Sequence, residues 1–263
     1  MMKSLYTSAT GMQAHQTVVD TTANNLANVD TTGFKRSQVE FQDLLYQTVR
    51  AAGTQGAIGY EVPTGIQIGS GVRIAGTSKV FTPGVLENTN NDFDLSIQGQ
   101  GFFQILMPNG EFRYTRDGSF RTNSTGNLVT ADGYSINPPI TIPADTLSMT
   151  VGSDGTVSVI TAGAPTTATT VGNIALTRFP NPSGLSSEGR NLFAETSASG
   201  PQLQGIPGSN GLGSLTQGFL ERSNVQVVTE LIRLITAQRA FEASQRCVLT
   251  SDQMLQTTNN MIR

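Results

Sequence analysis

Large apolar residues recur every seven positions along the C-terminal segment, at Val227, Leu234, Phe241, Val248, Leu255 and Ile262. A sustained repeat of this kind predicts a long helix with one narrow apolar seam. Ala237, Ser244, Ser251 and Thr258 follow three positions behind most members and would let a neighbouring helix approach closely. The N-terminal segment carries a matching pattern: Leu5, Ala9, Met12, Gln16, Val19, Ala23 and Leu26 are spaced alternately by four and three, with Gln16 as its polar interruption. Both ends therefore read as helices built to coil around each other or around further copies of the chain. The plainer reading is two amphipathic helices packed on one globular core.

Capping chemistry sets the expected boundaries. The first helix is predicted over residues 4–29, roughly 26 residues or about 39 Å long, and is closed by Asn28, Asp30 and Gly33. The last is predicted to begin at Ser223, where Ser223-Asn224-Val225-Gln226 matches a capping box, and to run about 37 residues, near 55 Å.

Between the helices the period changes. Seven glycines (53, 56, 59, 65, 69, 71 and 76) and Pro63 punctuate an Ile/Val/Thr/Gln sequence, which reads as extended chain with short strands and bends. Strands follow at Asp92–Ile97, where Phe93, Leu95 and Ile97 alternate with polar neighbours, and at residues 101–107, 111–115, 119–121, 127–130 and 134–136. Pro108-Asn109-Gly110, Asp117-Gly118, Ser124-Thr125-Gly126 and Asp132-Gly133 supply turns between them and predict an antiparallel meander. A looser β region is expected around Asp154-Gly155 and Thr161–Thr170, another strand over Asn173–Phe179, and a surface excursion or extended return path over Asn181–Ser214. The fold class is α+β. Its modules are an N-terminal helix (1–33), a Gly-rich connector (34–80), a β-rich domain (81–220) and a C-terminal helix (221–263).

Composition narrows the function. Of 263 residues, 37% are hydrophobic, enough for a real core, whereas only 13% are charged, about half the ordinary share. Met1–Gly33 holds only Lys3, Asp20 and Asp30 as charges, so the face opposite the seam is Thr, Ser, Asn and Gln, a surface suited to meeting protein. A net charge of −3 without a long basic run provides no footprint for nucleic acid. No window is apolar enough to span a membrane, and polar residues interrupt the N-terminus where a signal-peptide core would lie, so if the chain leaves the cytoplasm it is expected to use a route without a cleaved hydrophobic signal.

Chemistry is sparse. One histidine, His15, and one cysteine, Cys247, cannot build a triad on a rigid scaffold or a structural zinc site; no cofactor is expected. Asp92 and Asp94 are the best enzymatic candidates, since alternate residues share one strand face roughly 6.5 to 7 Å apart. An acid catalyst would need one carboxyl in an apolar or like-charged pocket, which no local sequence feature supplies, and both read as a solvated strand face. Arg113, Arg116 and Arg121 read as cross-strand or turn charges.

Several runs together carry a resemblance. Ala23-Asn24-Asn25-Leu26-Ala27-Asn28, continuing through Thr31, Thr32, Gly33, Phe34, Lys35 and Arg36, is similar to the N-terminal signature of the rod and hook axial proteins of the bacterial flagellum. Asp92–Phe103, Tyr114–Phe120 and Asn127–Tyr134 resemble that family's central motifs, and Glu221–Ile262, with Ser223-Asn224-Val225 and Ala237–Glu242, its C-terminal helix. The length leaves little room for a hook protein's extra domains. The connector, with Pro63, Gly65, Gly69 and Gly71, is similar to the segment of the distal-rod branch, ahead of proximal rod or short hook-type proteins.

The resemblance implies a non-enzymatic subunit that polymerises with itself into a rigid hollow tube. That tube would transmit torque across the periplasm and enclose the export channel, with proximal rod, hook, surrounding ring proteins and the export apparatus as partners. The implied subunit neither binds nucleic acid nor inserts into the membrane. It also implies that the helices pair as a coiled coil and form the inner core. Residues 150–170 match least. A secreted β-domain adhesin or carbohydrate-binding module is the alternative of a different class.

Overall fold

A computed structural model describes residues 2–53, 55–57, 60–61 and 63–261. It contains two compact units: one built from the chain up to Leu26, Ser37–Ser78 and the chain from Val227, the other from Ala27–Arg36 and Lys79–Gln226.

The first unit holds two helices and a ribbon. Helix α1 spans Met2–Ala27 and α2 spans Val227–Met261. Both are rich in Thr and Ser, residues that usually compete with helix by bonding to backbone. Here that bonding is turned inward. Thr7, Thr17 and Thr21 donate to the carbonyls of Lys3, Gln13 and Thr17 on α1, and Thr236, Ser244, Thr257 and Thr258 do the same four residues back on α2. Each hydroxyl is satisfied within its own helix and presents little polarity outward.

The connector folds back on itself as a two-stranded ribbon. Ser37–Asp43 pairs with Val72–Lys79, Gln47–Arg50 with Ile66–Ile68, and Gln55–Ala57 with Tyr60–Glu61. Side-chain links from Ser78 to Glu40 (2.6 Å) and from Arg73 to Gln42 (2.7 Å) fasten its base.

The second unit is β-rich. A nine-stranded sheet runs Arg121–Thr122, Leu128–Val129, Ser135–Ile136, Phe102–Leu106, Phe112–Thr115, Leu192–Ala194, Ser186–Gly189, with Leu176–Arg178 also on Phe102–Leu106 and Leu203–Gly205 beyond it. A three-stranded sheet joins Thr146–Val151, Thr156–Thr161 and Ala164–Asn173, all antiparallel. Phe102–Leu106 is buried on both faces. The two-residue period sends Phe103 and Ile105 into the main core with Leu95, Ile97, Phe120 and Val157, and Phe102 into an aromatic cluster with Phe179 and Phe193. Those rings meet edge to face, Phe102 lying 5.4 Å from Phe81 and 5.9 Å from Phe193.

Several expectations are corrected. The strand predicted over Asp92–Ile97 is Leu95–Gln98, and its first three residues are all buried, because the segment is covered on both sides. Asp94 is a buried loop carboxylate holding Thr89 Oγ1 (2.6 Å) and Asn91 Nδ2 (3.1 Å), while Asp92 is exposed, so the two do not share a solvated strand face.

The meander is broken at Asp117-Gly118. The turns at Gly110, Gly126 and Gly133 take left-handed φ of 83°, 80° and 86°, as tight turns require. Gly118 is instead a close approach: a Cβ there would stand 1.6 Å from Leu95 O, and the chain crosses to the far side of the sheet. The stretch 181–214 is no surface excursion, for Ser186–Gly189, Leu192–Ala194 and Leu203–Gly205 are sheet strands that bury Leu192 and Phe193. Their shortness hid them among Gly and Ser.

Helix α2 starts four residues later than predicted. Ser223 Oγ accepts Val225 N–H, and Asn224, expected inside the helix, bridges Arg36 N–H (2.8 Å) and Val80 O (2.8 Å). Ahead of it, Phe219–Glu221 is a strand on Leu86–Asn88.

Arg116 is also not a turn charge. It lies buried with Lys35 around the buried carboxylate of Glu221. Glu221 Oε1 takes Lys35 Nζ and Gly84 N–H (2.8 Å), and Oε2 takes Arg116 Nη1 (3.2 Å). Lys35 also donates to Thr82 O (2.8 Å) and Arg116 to Gly99 O (2.6 Å). Burial pushes both cations below their ordinary pKa, and Glu221 opposes that shift. Removing the anion would leave two buried cations facing each other. Glu221→Gln is expected to destabilise this unit by about 3 to 5 kcal/mol, whereas Glu87→Gln, at an exposed pair with Arg222, should change it by less than about 1 kcal/mol. Urea unfolding followed by circular dichroism measures both.

Candidate assembly interface

Within the first unit, three contacts place α1 against α2 in antiparallel sense. Ser4 Oγ lies 3.3 Å from Ser251 Oγ, a Cβ on Gly11 would lie 3.5 Å from Ser244 Oγ, and Asn25 Nδ2 donates to Glu230 Oε2 at 3.3 Å. Ala14, Thr22 and Asn25 are the buried residues of α1, and Glu230, Ala237 and Ser251 those of α2. The contact line is thus made of small and polar side chains, which permits close approach with little apolar area.

On α2, Leu234, Phe241, Val248 and Leu255 are half-buried on the side of Ala237, Ser244 and Ser251, whereas Val227 is exposed and Ile262 falls outside the described residues. On α1, Leu5, Met12, Val19 and Leu26 are half-buried, and Ala9, Gln16 and Ala23 are exposed.

The residues of the Asn-Asn-Leu-Ala-Asn run differ in their surroundings. Asn24 is exposed and Leu26 half-buried. The Asn25 amide group behaves as a piece of strand: Nδ2 donates to Ser37 O and Oδ1 accepts Ser37 N–H, both at 2.9 Å. Asn28 accepts Thr31 N–H and Oγ1 in the turn that ends α1. In the second unit Gly33 takes φ 66°, and a Cβ there would stand 2.6 Å from Asp117 N. Phe34 is buried under the Lys79 ammonium, 4.8 Å from its ring centroid.

Along the ribbon, Pro63 sits exposed at a bend. Gly65 lies against Arg50 O and Gly69 against the Tyr46 ring, while Gly71 (φ 110°) lets the ribbon pass Thr10 of α1, where a Cβ would come within 2.3 Å of Oγ1.

Most of this unit's large apolar residues face outward. Leu45 is 90% exposed, and Phe41, Tyr46, Val49, Ile66 and Ile68 are also exposed on the ribbon. Val228 (70%), Leu231, Ile232 (60%) and Ile235 form an exposed stripe on α2, on the other side from Leu234, Ala237 and Phe241. By helical geometry the first turns of α2 are therefore apolar on two faces. Gln238, Gln245, Gln256 and Asn260 of α2 are also exposed.

The chemical candidates stay apart. His15 is half-buried on α1, and Cys247 is exposed on α2 beside an open groove of ≈620 Å³. Arg113 is held by Glu188 (2.6 Å) and Glu111 (2.8 Å), and Arg121 is exposed. Among the described residues no cluster of His, Cys, Asp and Glu could hold a metal, and no helix is long and apolar enough to cross a membrane.

Lys35, Glu221 and Glu230 were missed as structural charges. A signal existed for Glu230, which shares the seven-residue phase of Ala237, Ser244 and Ser251, as Asn25 shares that of Ser4 and Gly11.

Comparison with known proteins gives these features a context. Residues 5–35 match the model for flagella basal body rod proteins, 96–159 that for the flagellar hook protein FlgE/F/G D1 domain, and 216–261 that for the flagellar basal body rod FlgEFG protein C-terminal region. The chain is 47% identical to the flagellar basal-body rod protein FlgG of Borreliella burgdorferi and 39% identical to that of Bacillus subtilis, with full coverage of both partners in each case. It is 36% identical to the flagellar basal-body rod protein FlgF of Caulobacter vibrioides, over 92% of this chain and 91% of the relative. The chain belongs to the flagellar basal-body rod proteins and is a structural subunit of the rod, not an enzyme.

Proposed function

We propose that this subunit forms the distal part of the rod, polymerising into a rigid hollow helical tube that carries motor torque to the hook and encloses the export channel. The observation that carries the polymer reading is the two-faced apolar start of α2. A helix apolar on all sides belongs in a buried position, and a single copy leaves Val228, Leu231, Ile232 and Ile235 in water. Contacts between copies that do not close under rotation cover such a face repeatedly and generate a helical polymer. The terminal helices, paired as a coiled coil, supply the inner core of the tube, and the Gly-rich segment 34–80 braces one copy against the next. That ribbon has two strands and an apolar, exposed surface, an arrangement of marginal stability by itself.

The full-length FlgG relatives at 39–47% identity, set beside the FlgF relative at 36%, favour the distal place. The partners proposed are further copies, proximal rod and hook subunits, surrounding ring proteins and the export apparatus.

Electron microscopy of basal bodies tests the placement. Deleting the gene should leave rods that stop short and carry no hook, with restoration by the intact gene, and complete hook-basal bodies after deletion would overturn it. Ile232→Asp should leave the isolated chain's stability within about 0.5 kcal/mol of the parent yet abolish rods, because the charge is buried at every repeat of the polymer. Rods of normal length from that variant would remove α2's outer face from the interface. Replacing residues 51–65 by Asn-Gly keeps the Gln47–Arg50 and Ile66–Ile68 pairing and should give bent rods or rods of uncontrolled length. Straight rods of normal length would show that the ribbon's outer half does not brace the tube.

A further inference from the structure

We propose that the Asn25–Glu230 pair is the register lock of α1 on α2, the contact that allows only one alignment of the two helices. The inference rests on the reading that these helices pair within one chain.

The remaining contacts cannot select an alignment. Seven residues separate Ser4 from Gly11 on α1 and Ser251 from Ser244 on α2, and fourteen separate Gly11 from Asn25 and Ser244 from Glu230. All three contacts therefore keep one offset. The same spacing makes the seam degenerate. Sliding α1 by one heptad sets Gly11 against Ser251 and Val18 against Ser244, small or apolar residues on small residues as before. Nothing polar is orphaned there, and the half-buried apolar positions of the sevenfold repeat keep their phase, each large apolar residue exchanging places with another.

Among the contacts described between the two helices, the Asn25–Glu230 pair breaks the degeneracy. Both are 1% exposed. The Asn25 amide group cannot rotate away, since both of its polar atoms are bonded to the Ser37 backbone. It still reaches Glu230 Oε2, while Arg233 holds Oε1 at 3.2 Å. After that slide Asn25 would face Ala237, which has no side-chain donor or acceptor, and Glu230 would lie past the end of α1 at Ala27 with no residue of that helix opposite it. A buried carboxylate that loses a partner costs far more than the exchange of one small residue for another. One polar contact in an otherwise uniform seam is a known device for fixing helix register.

Disulfide reporters read the register directly in the full-length chain with Cys247→Ser as background. Ser4→Cys with Ser251→Cys reports the observed alignment. Gly11→Cys with Ser251→Cys reports the slid one, since those positions now lie about 10 Å apart along the helix, beyond disulfide reach. The parent should form the first cross-link and not the second. Asn25→Ala with Glu230→Ala should raise the second by about tenfold or more as the two alignments approach equal stability.

Glu230→Ala with Ala237→Glu moves the carboxylate one heptad and should make the slid cross-link the major species. An unchanged native cross-link in both variants overturns the lock, and so does loss of both cross-links in both variants, which would make the pair a general stabiliser. Failure of the first cross-link in the parent overturns the helix pairing itself. Whether cells build rods, scored by microscopy, is a separate readout and tests the polymer reading alone.

Discussion

One buried carboxylate fastens segments that the chain sequence keeps far apart. Glu221 receives Lys35 from the turn after α1, the Gly84 backbone from the start of the β-rich unit, and Arg116 from beside the main sheet. Two cations and an anion sealed from water are stable only when all three are present, so the arrangement acts as an all-or-none fastening. Around it the backbone closes as well: Gly33 N–H donates to Glu221 O, and Asn224 spans Arg36 and Val80. The chain thus leaves and re-enters the β-rich unit at one place. Gly33 has no substitute there, because its left-handed φ and the nearby Asp117 backbone both exclude a side chain.

The helical unit obeys a different economy. Its seam contains few large side chains, many of its hydroxyls are satisfied inside their own helices, and most of its large apolar residues point outward. For a protein that worked alone this would be a poor design. Under the proposed polymer, the exposed apolar residues are the ones that neighbouring copies would cover, and the contacts within the chain are few and small. Membership of the rod family makes that division intelligible.

Much of the architecture was legible from pattern. Two terminal helices, the antiparallel β character of the middle and the hairpin turns at Gly110, Gly126 and Gly133 follow from periodicities and glycine chemistry that operate over a few residues. Errors arose where a local rule was overridden from afar. Ser223-Asn224-Val225-Gln226 has the form of a helix cap, but Asn224 gains more from bridging two distant backbone segments, and the helix waits until Val227. Asp117-Gly118 has the form of a hairpin turn, yet its glycine is present to admit Leu95. Strands of three or four residues in the Gly- and Ser-rich stretch after Asn181 carry too few apolar positions to show a period.

The sequence by itself determined the helices, their sevenfold repeat, the β-rich middle, the poverty of catalytic groups and the family signature, because each is written in residues close together along the chain. Tertiary structure alone decided which charges are buried, that the connector pairs with itself, and which faces of the helices are left uncovered. Those outcomes depend on partners far away along the chain, 205 residues in the case of Asn25 and Glu230 and 247 for Ser4 and Ser251. Whether a lysine such as Lys35 is solvated or sealed against a carboxylate is settled by the desolvation of the assembled unit, a quantity that no local stretch of sequence contains.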